Sequence, residues 1–236
     1  MNDDDNHDIE GQMIKGLADD PMTLAQHTRD PQAAALVGAL GHYEEEFNTE
    51  HGENGWDWPL LLIMIYRSLP PTRLADMLGE VFGGQAVLLA FKFFNLTEIN
   101  VNIEPDGIPL HQFLSWFAEM LRNDAEAGRE AMRSDLADGG LDVVGWGLHI
   151  EGYGVSLKPG EEHPEGRFKD LPDRFEQRII MAVDRAGYRY SITRTRGTEE
   201  VTAALDMETD KGADVRLGGR VLDGLMEIMA VTPDET

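Results

Sequence analysis

Arg174-Phe-Glu-Gln-Arg-Ile-Ile-Met-Ala-Val183, Asp184-Arg-Ala-Gly187 and Tyr188-Arg-Tyr-Ser-Ile-Thr-Arg-Thr-Arg196 together decide the fold class. Two runs rich in β-branched and aromatic residues flank a short loop containing Gly, which is the pattern of an antiparallel hairpin. Upstream, Val143 to Leu157 alternates between Gly interruptions and reads as one long strand or a bent pair. Between them, Lys158 to Pro172 is rich in Pro, Gly and charge and reads as a loop. Downstream, Thr198 to Met207 reads as a short helix, Lys211 to Arg216 as an exposed loop and Arg220 to Met229 as a terminal helix.

The first half is organised differently. Asp20-Pro21 opens a short helical turn, and Asp30-Pro31 is a firmer start, with Asp as N-cap and Pro at the first helical position. The helix that follows carries Ala33, Leu36, Val37, Leu40, Tyr43 and Phe47 on one face, and Gly52 ends it. Glu44, Glu45 and Glu46 are expected mostly off that face. Gly55-Trp-Asp-Trp-Pro59 turns the chain into Leu60-Leu-Leu-Ile-Met-Ile-Tyr66, whose lack of alternation predicts a buried central strand. Pro70 to Phe82 reads as a helix, Ala86 to Phe94 as a strand (with a buried helix as the alternative), and Glu98 to Glu104 as an edge-like strand. Ile108 to Arg122 is a strongly amphipathic helix, and Asp124 to Asp138 an exposed helix or linker. Strands in runs with helices set apart imply α+β: a mixed or mostly antiparallel sheet, helices on one side, and a C-terminal β-meander. Residues 1–12 read as a disordered acidic tail and 13–236 as a single domain, with a sub-boundary placed in 123–142.

Gly55-Trp-Asp-Trp-Pro59, together with Asp173 to Arg178 and Ala182 to Tyr190, resembles uncharacterised actinobacterial or actinophage proteins that share a Gly-Trp-Asp-x-Pro turn and an Arg-flanked hairpin. The resemblance implies a bacterial origin and carries no activity with it.

Charge narrows the function classes. The chain has 44 Asp and Glu against 20 Lys and Arg, a formal charge of −24, so its field repels duplex DNA. The charge is segregated: residues 1–57 net −12, while 167–196 net +4. Without cysteine there is no disulfide scaffold, thiolate zinc site or thiol nucleophile. The longest apolar run is six residues, far short of the roughly 20 that span a bilayer. No membrane segment or signal peptide is expected, which makes the cytoplasm the default location.

No cofactor is implied. Gly145-Trp-Gly-Leu-His-Ile-Glu-Gly152 misplaces the third Gly of a dinucleotide loop, and there is no Walker loop. No metal site is expected: His42 and Glu46 are four apart on a helix, but two groups do not make a site. No catalytic residue can be named, because no Ser lies in a Gly-x-Ser-x-Gly elbow. That inclines the reading away from an enzyme.

Three features remain as candidates for ligand or partner binding. The hairpin arginines Arg189, Arg194 and Arg196 suit recognition of carboxylate or phosphate, unless they pair with the chain's own acids. Trp56 and Asp57 could line a ligand cleft, or form a structural corner. Glu44, Glu45 and Glu46 present carboxylates to a basic protein. The reading is therefore a protein-interaction or regulatory protein working through an acidic surface and the Arg-rich hairpin. A small-ligand or anion binder or enzyme near Trp56-Asp57, and a nucleic-acid-mimicking inhibitor, are the alternatives. A protein partner is expected, and homo-oligomerisation is left open.

Overall fold

The structure, a computed structural model, describes residues 20–68, 88–96, 108–124, 142–155, 170–207 and 219–232. The tail, all but the ends of the sub-boundary in 123–142, the elements expected over 70–82, 98–104 and 211–216, and all but the first residue of that expected over 124–138 lie outside the described residues.

Helix α1 spans Pro21–His27 and α2 spans Pro31–His51. Both begin as expected: Asp20 accepts from the N–H groups of Met22 and Thr23, and Asp30 accepts from Ala33 N–H at 2.8 Å. Such a cap contributes about 1 kcal/mol. Gly52, with φ of 52°, takes α2's C-cap in a conformation that residues with a Cβ rarely adopt. The strands are β1 (Leu61–Ser68), β2 (Leu88–Asn95), β3 (Asp142–Val155), β4 (Arg174–Asp184), β5 (Tyr188–Thr195) and β6 (Val201–Met207). Helix α3 spans Leu110–Asn123 and α4 spans Gly219–Val231.

The strands form one antiparallel sheet in the order β2-β1-β3-β4-β5-β6, ending in a meander from β3 to β6. This is the expected α+β arrangement, with two corrections. Residues 201–207 form a strand rather than part of a helix: they pair with β5 from Arg194↔Val201 to Tyr188↔Met207. Their alternation of Val201, Ala203 and Leu205 against Thr202, Ala204 and Asp206 fits a pleated surface beside an otherwise open β5 edge.

The second correction concerns the layers. Helices cover both faces of the sheet, not one. Ile63 and Ile65 of β1 pack with Ala33, Leu36, Val37 and Leu40 of α2. Their neighbours Leu62 and Met64 pack with Phe113 and Leu114 of α3 and Leu222, Leu225 and Ile228 of α4. The Leu61–Ile65 run of β1 is apolar at every position and requires cover on both sides, because successive side chains point to opposite faces. A bulge in β3 leaves Val144 opposite no residue of β1: Ile65 pairs with Gly145 and Tyr66 with Val143. The extra residue places Val144 under α2 and Val143 on the other face. Gly145 is required there, since a Cβ would stand 2.6 Å from the Val183 carbonyl oxygen. Among the described residues, no helix is long and apolar enough to cross a membrane.

Candidate functional site

The chemistry concentrates under the second half of α2, where the helix lies over strands β4 and β5. Phe47 follows Leu40 by seven residues, and Glu44 lies between them, four after Leu40 and three before Phe47. At 3.6 residues per turn that spacing puts Glu44 inside the apolar stripe. The three glutamates are expected mostly off the buried face; Glu44, 1% exposed, lies on it.

Two arginines meet it from below. Arg178 on β4 and Arg194 on β5 are Cα partners and both project toward α2. Like charges directly opposite destabilise a sheet pair; here one carboxylate serves both. Arg178 donates to Glu44 Oε2 from Nε at 3.0 Å and to Oε1 from Nη2 at 2.8 Å. Its remaining donors reach Asn48 Oδ1 at 3.1 Å and the Gly55 carbonyl at 3.3 Å. Arg194 donates from Nε to Glu44 Oε1 at 2.6 Å, and its Nη2 lies 3.0 Å from Glu45 Oε1. Arg178 is fully buried and Arg194 is 3% exposed. Charges are kept in such an environment only when paired and hydrogen-bonded.

Aromatic rings close this cluster. The Arg178 guanidinium carbon lies over Phe47 at 4.7 Å and over Trp56 at 5.0 Å, and Arg196 lies over Trp56 at 5.4 Å. Trp56 is thus a buried structural corner that binds the chain's own arginines. Arg196 also pairs with Glu176. Arg189 faces the opposite side of the sheet, buried, where its Nη2 meets Asp223 of α4 at 2.8 Å. Of the three hairpin arginines expected at a binding surface, Arg189 and Arg194 are buried, and all three pair with the chain's own acids.

The residues after Trp56 remain outside. Asp57 has φ of 66°, a left-handed conformation that Asp tolerates, and is exposed. Its N–H donates to Glu151 Oε2 at 2.7 Å. Burial pushes the Glu151 carboxyl above the usual carboxylate range, opposed by the N–H groups of Asp57 and Trp58 and by the Arg178 charge. Trp58 stands edge-on to Phe47 at 5.3 Å and lies beside His51 at 4.5 Å. Glu46 is on the solvent side of α2, 3.2 Å from His42. Among the described residues, no group of three or more His, Asp or Glu is arranged to hold a metal ion.

His149 completes the region. It is 1% exposed on β3, and the Tyr43 hydroxyl lies 2.8 Å from its Nδ1. Burial, and then the Arg178 charge, lower its pKa to about 3, so the imidazole is neutral. Burial and the neighbouring Glu44 raise the pKa of Tyr43, keeping its hydroxyl protonated. The hydroxyl therefore donates to Nδ1 and leaves the proton of the ring on Nε2, which has no hydrogen-bond partner among the described residues.

Sequence reasoning missed Arg178, Asn48, Tyr43 and His149 as parts of one region. The spacing of Leu40, Glu44 and Phe47 was the available signal for the buried carboxylate. No protein-family model matches the chain, and no curated protein or solved structure matches it either.

Proposed function

We propose that this chain is a protein-interaction module, working in the cytoplasm, that takes a basic protein partner on the outer face of α2. The observation that carries the reading is the internal neutralisation of the hairpin. Glu44 holds Arg178 and Arg194 inside, while the side chains of Glu45, Glu46 and Glu50 stay 57%, 69% and 79% exposed on α2. Two of the hairpin's cations, Arg178 and Arg194, are turned inward on Glu44 while these three carboxylates face outward, in a chain whose charge is −24. Such a field raises the encounter rate with cationic partners and suppresses acidic ones.

The test is calorimetric titration of the full chain with an arginine- and lysine-rich octapeptide, at about 50 mM and about 300 mM salt, where screening differs strongly. The expected result is binding that weakens with salt and drops about 2- to 5-fold for each of Glu46→Gln and Glu50→Gln. Absence of binding at the lower salt, or binding indifferent to both variants, overturns the proposal.

A further inference from the structure

We infer that the Asp57–Trp58 corner is a receptor for one cationic side chain, a lysine ammonium or an arginine guanidinium, of a partner protein. This rests on the proposed basic partner and names the place where a side chain of that partner would seat. The argument starts from what the same corner does internally. Gly55-Trp-Asp-Trp58 places two indoles two residues apart, and the first already lies under two guanidinium groups, those of Arg178 and Arg196. The second indole belongs to a residue that is 37% exposed, and no arginine or lysine of the described residues lies over it.

Three further observations give that ring the surroundings a cation needs. Asp57 is exposed, and its carboxylate has no hydrogen-bond or ion-pair partner among the described residues. The backbone N–H groups of Asp57 and Trp58 both point at the Glu151 carboxylate, which holds the backbone that joins the Asp57 carboxylate to the ring. Glu50 lies on the far side of His51, its Oε2 3.9 Å from the His51 Nε2, and His51 in turn flanks Trp58. A quadrupolar ring beside carboxylates attracts a desolvated cation, and Trp is the strongest of the aromatic faces.

The ring is also held before any partner arrives. Phe47 and His51 contact Trp58 from α2, and Phe47 is itself fixed against Arg178 and His149. Ring contacts continue through Tyr43 to Phe93, which is 42% exposed on β2. A receptor fixed in place in the free protein loses little conformational freedom on binding.

The test titrates the full chain with the same basic octapeptide and with an uncharged analogue in which every Lys and Arg is Gln, reading calorimetry and tryptophan fluorescence. Trp58→Ala is expected to weaken binding about 3- to 30-fold and Trp58→Phe by less, in the order of cation–π strength. Asp57→Asn keeps the left-handed backbone and removes the charge; about 2- to 5-fold weakening is expected. Circular dichroism of each variant should match the parent, since Trp58 lies at the surface. Salt-sensitive binding that ignores Trp58→Ala and Asp57→Asn overturns this site and leaves the acidic-face proposal standing. No binding by the parent overturns both. Equal binding of the uncharged analogue means an apolar contact and overturns the assignment to a cation.

Discussion

His149 makes the stability of this protein depend on pH in a defined window and with a defined sign. The groups that act on it are Tyr43 from α2, whose hydroxyl meets Nδ1, and the charge of Arg178 from β4, with Glu151 two residues along its own strand. Burial and the Arg178 charge hold its pKa at about 3, against 6.5 in an unfolded chain. Between those values the unfolded state binds a proton that the folded state refuses. Stability contributed by the neutral imidazole is therefore complete above pH 6.5 and is lost as pH falls toward 3. Each pH unit in the window costs about 1.4 kcal/mol, so falling from about 6.5 to about 4.5 removes roughly 3 kcal/mol.

The perturbation is His149→Asn, whose side-chain oxygen can still accept from the Tyr43 hydroxyl but cannot titrate. Urea denaturation followed by circular dichroism at several pH values gives the difference in stability between parent and variant. Glu151 and Asp184 have pKa values raised chiefly by burial, so their contributions fall as pH rises, the opposite sign. They are present in both proteins and cancel in the difference. The parent should lose its advantage over the variant below pH 6.5, at the slope given above. A difference that stays flat down to about pH 4.5, or an imidazole resonance of the folded protein titrating near 6.5, would refute the reasoning.

Glu44→Gln should destabilise the fold by about 3–5 kcal/mol, because two guanidinium groups lose the charge they share; adding Arg178→Met and Arg194→Met should recover most of that loss in urea titrations. Gly55→Ala should cost about 1–3 kcal/mol, since its Cβ would stand 2.9 Å from His51 Cβ, 3.0 Å from Phe47 Cε1 and 3.1 Å from Arg178 Nη1. Thr232→Val should cost about 1–3 kcal/mol by leaving the buried Trp146 indole N–H, now 2.8 Å from Thr232 Oγ1, without an acceptor; thermal denaturation checks both.

Local signals carried most of the fold. Asp30-Pro31 marks the start of α2, the unbroken Leu61–Ile65 run marks a strand covered on both faces, and Asp184 to Gly187 marks the hairpin. The second helical layer follows from that same run once each face of β1 is asked what covers it. β6 was illegible because Ala203, Ala204 and Leu205 favour a helix locally, and only the exposed edge of β5 overrides that preference. The candidate site was legible in parts. Strand periodicity puts His149 and Glu151 on one face of β3, and Arg194 on the face of Tyr190 and Ile192 in β5, but it does not name their partners. Glu44 lies 134 residues from Arg178 and 150 from Arg194, and no local pattern spans such a distance.

That separation also orders the assembly of the chain. Helix α2 is synthesised early, but its buried carboxylate has no cation until β4 and β5 follow, 134 and 150 residues later. Until then, docking α2 on the sheet would strand an unpaired charge. Seating α2 and registering the β4–β5 hairpin are therefore linked energetically, since either one alone leaves a buried charge without its partner.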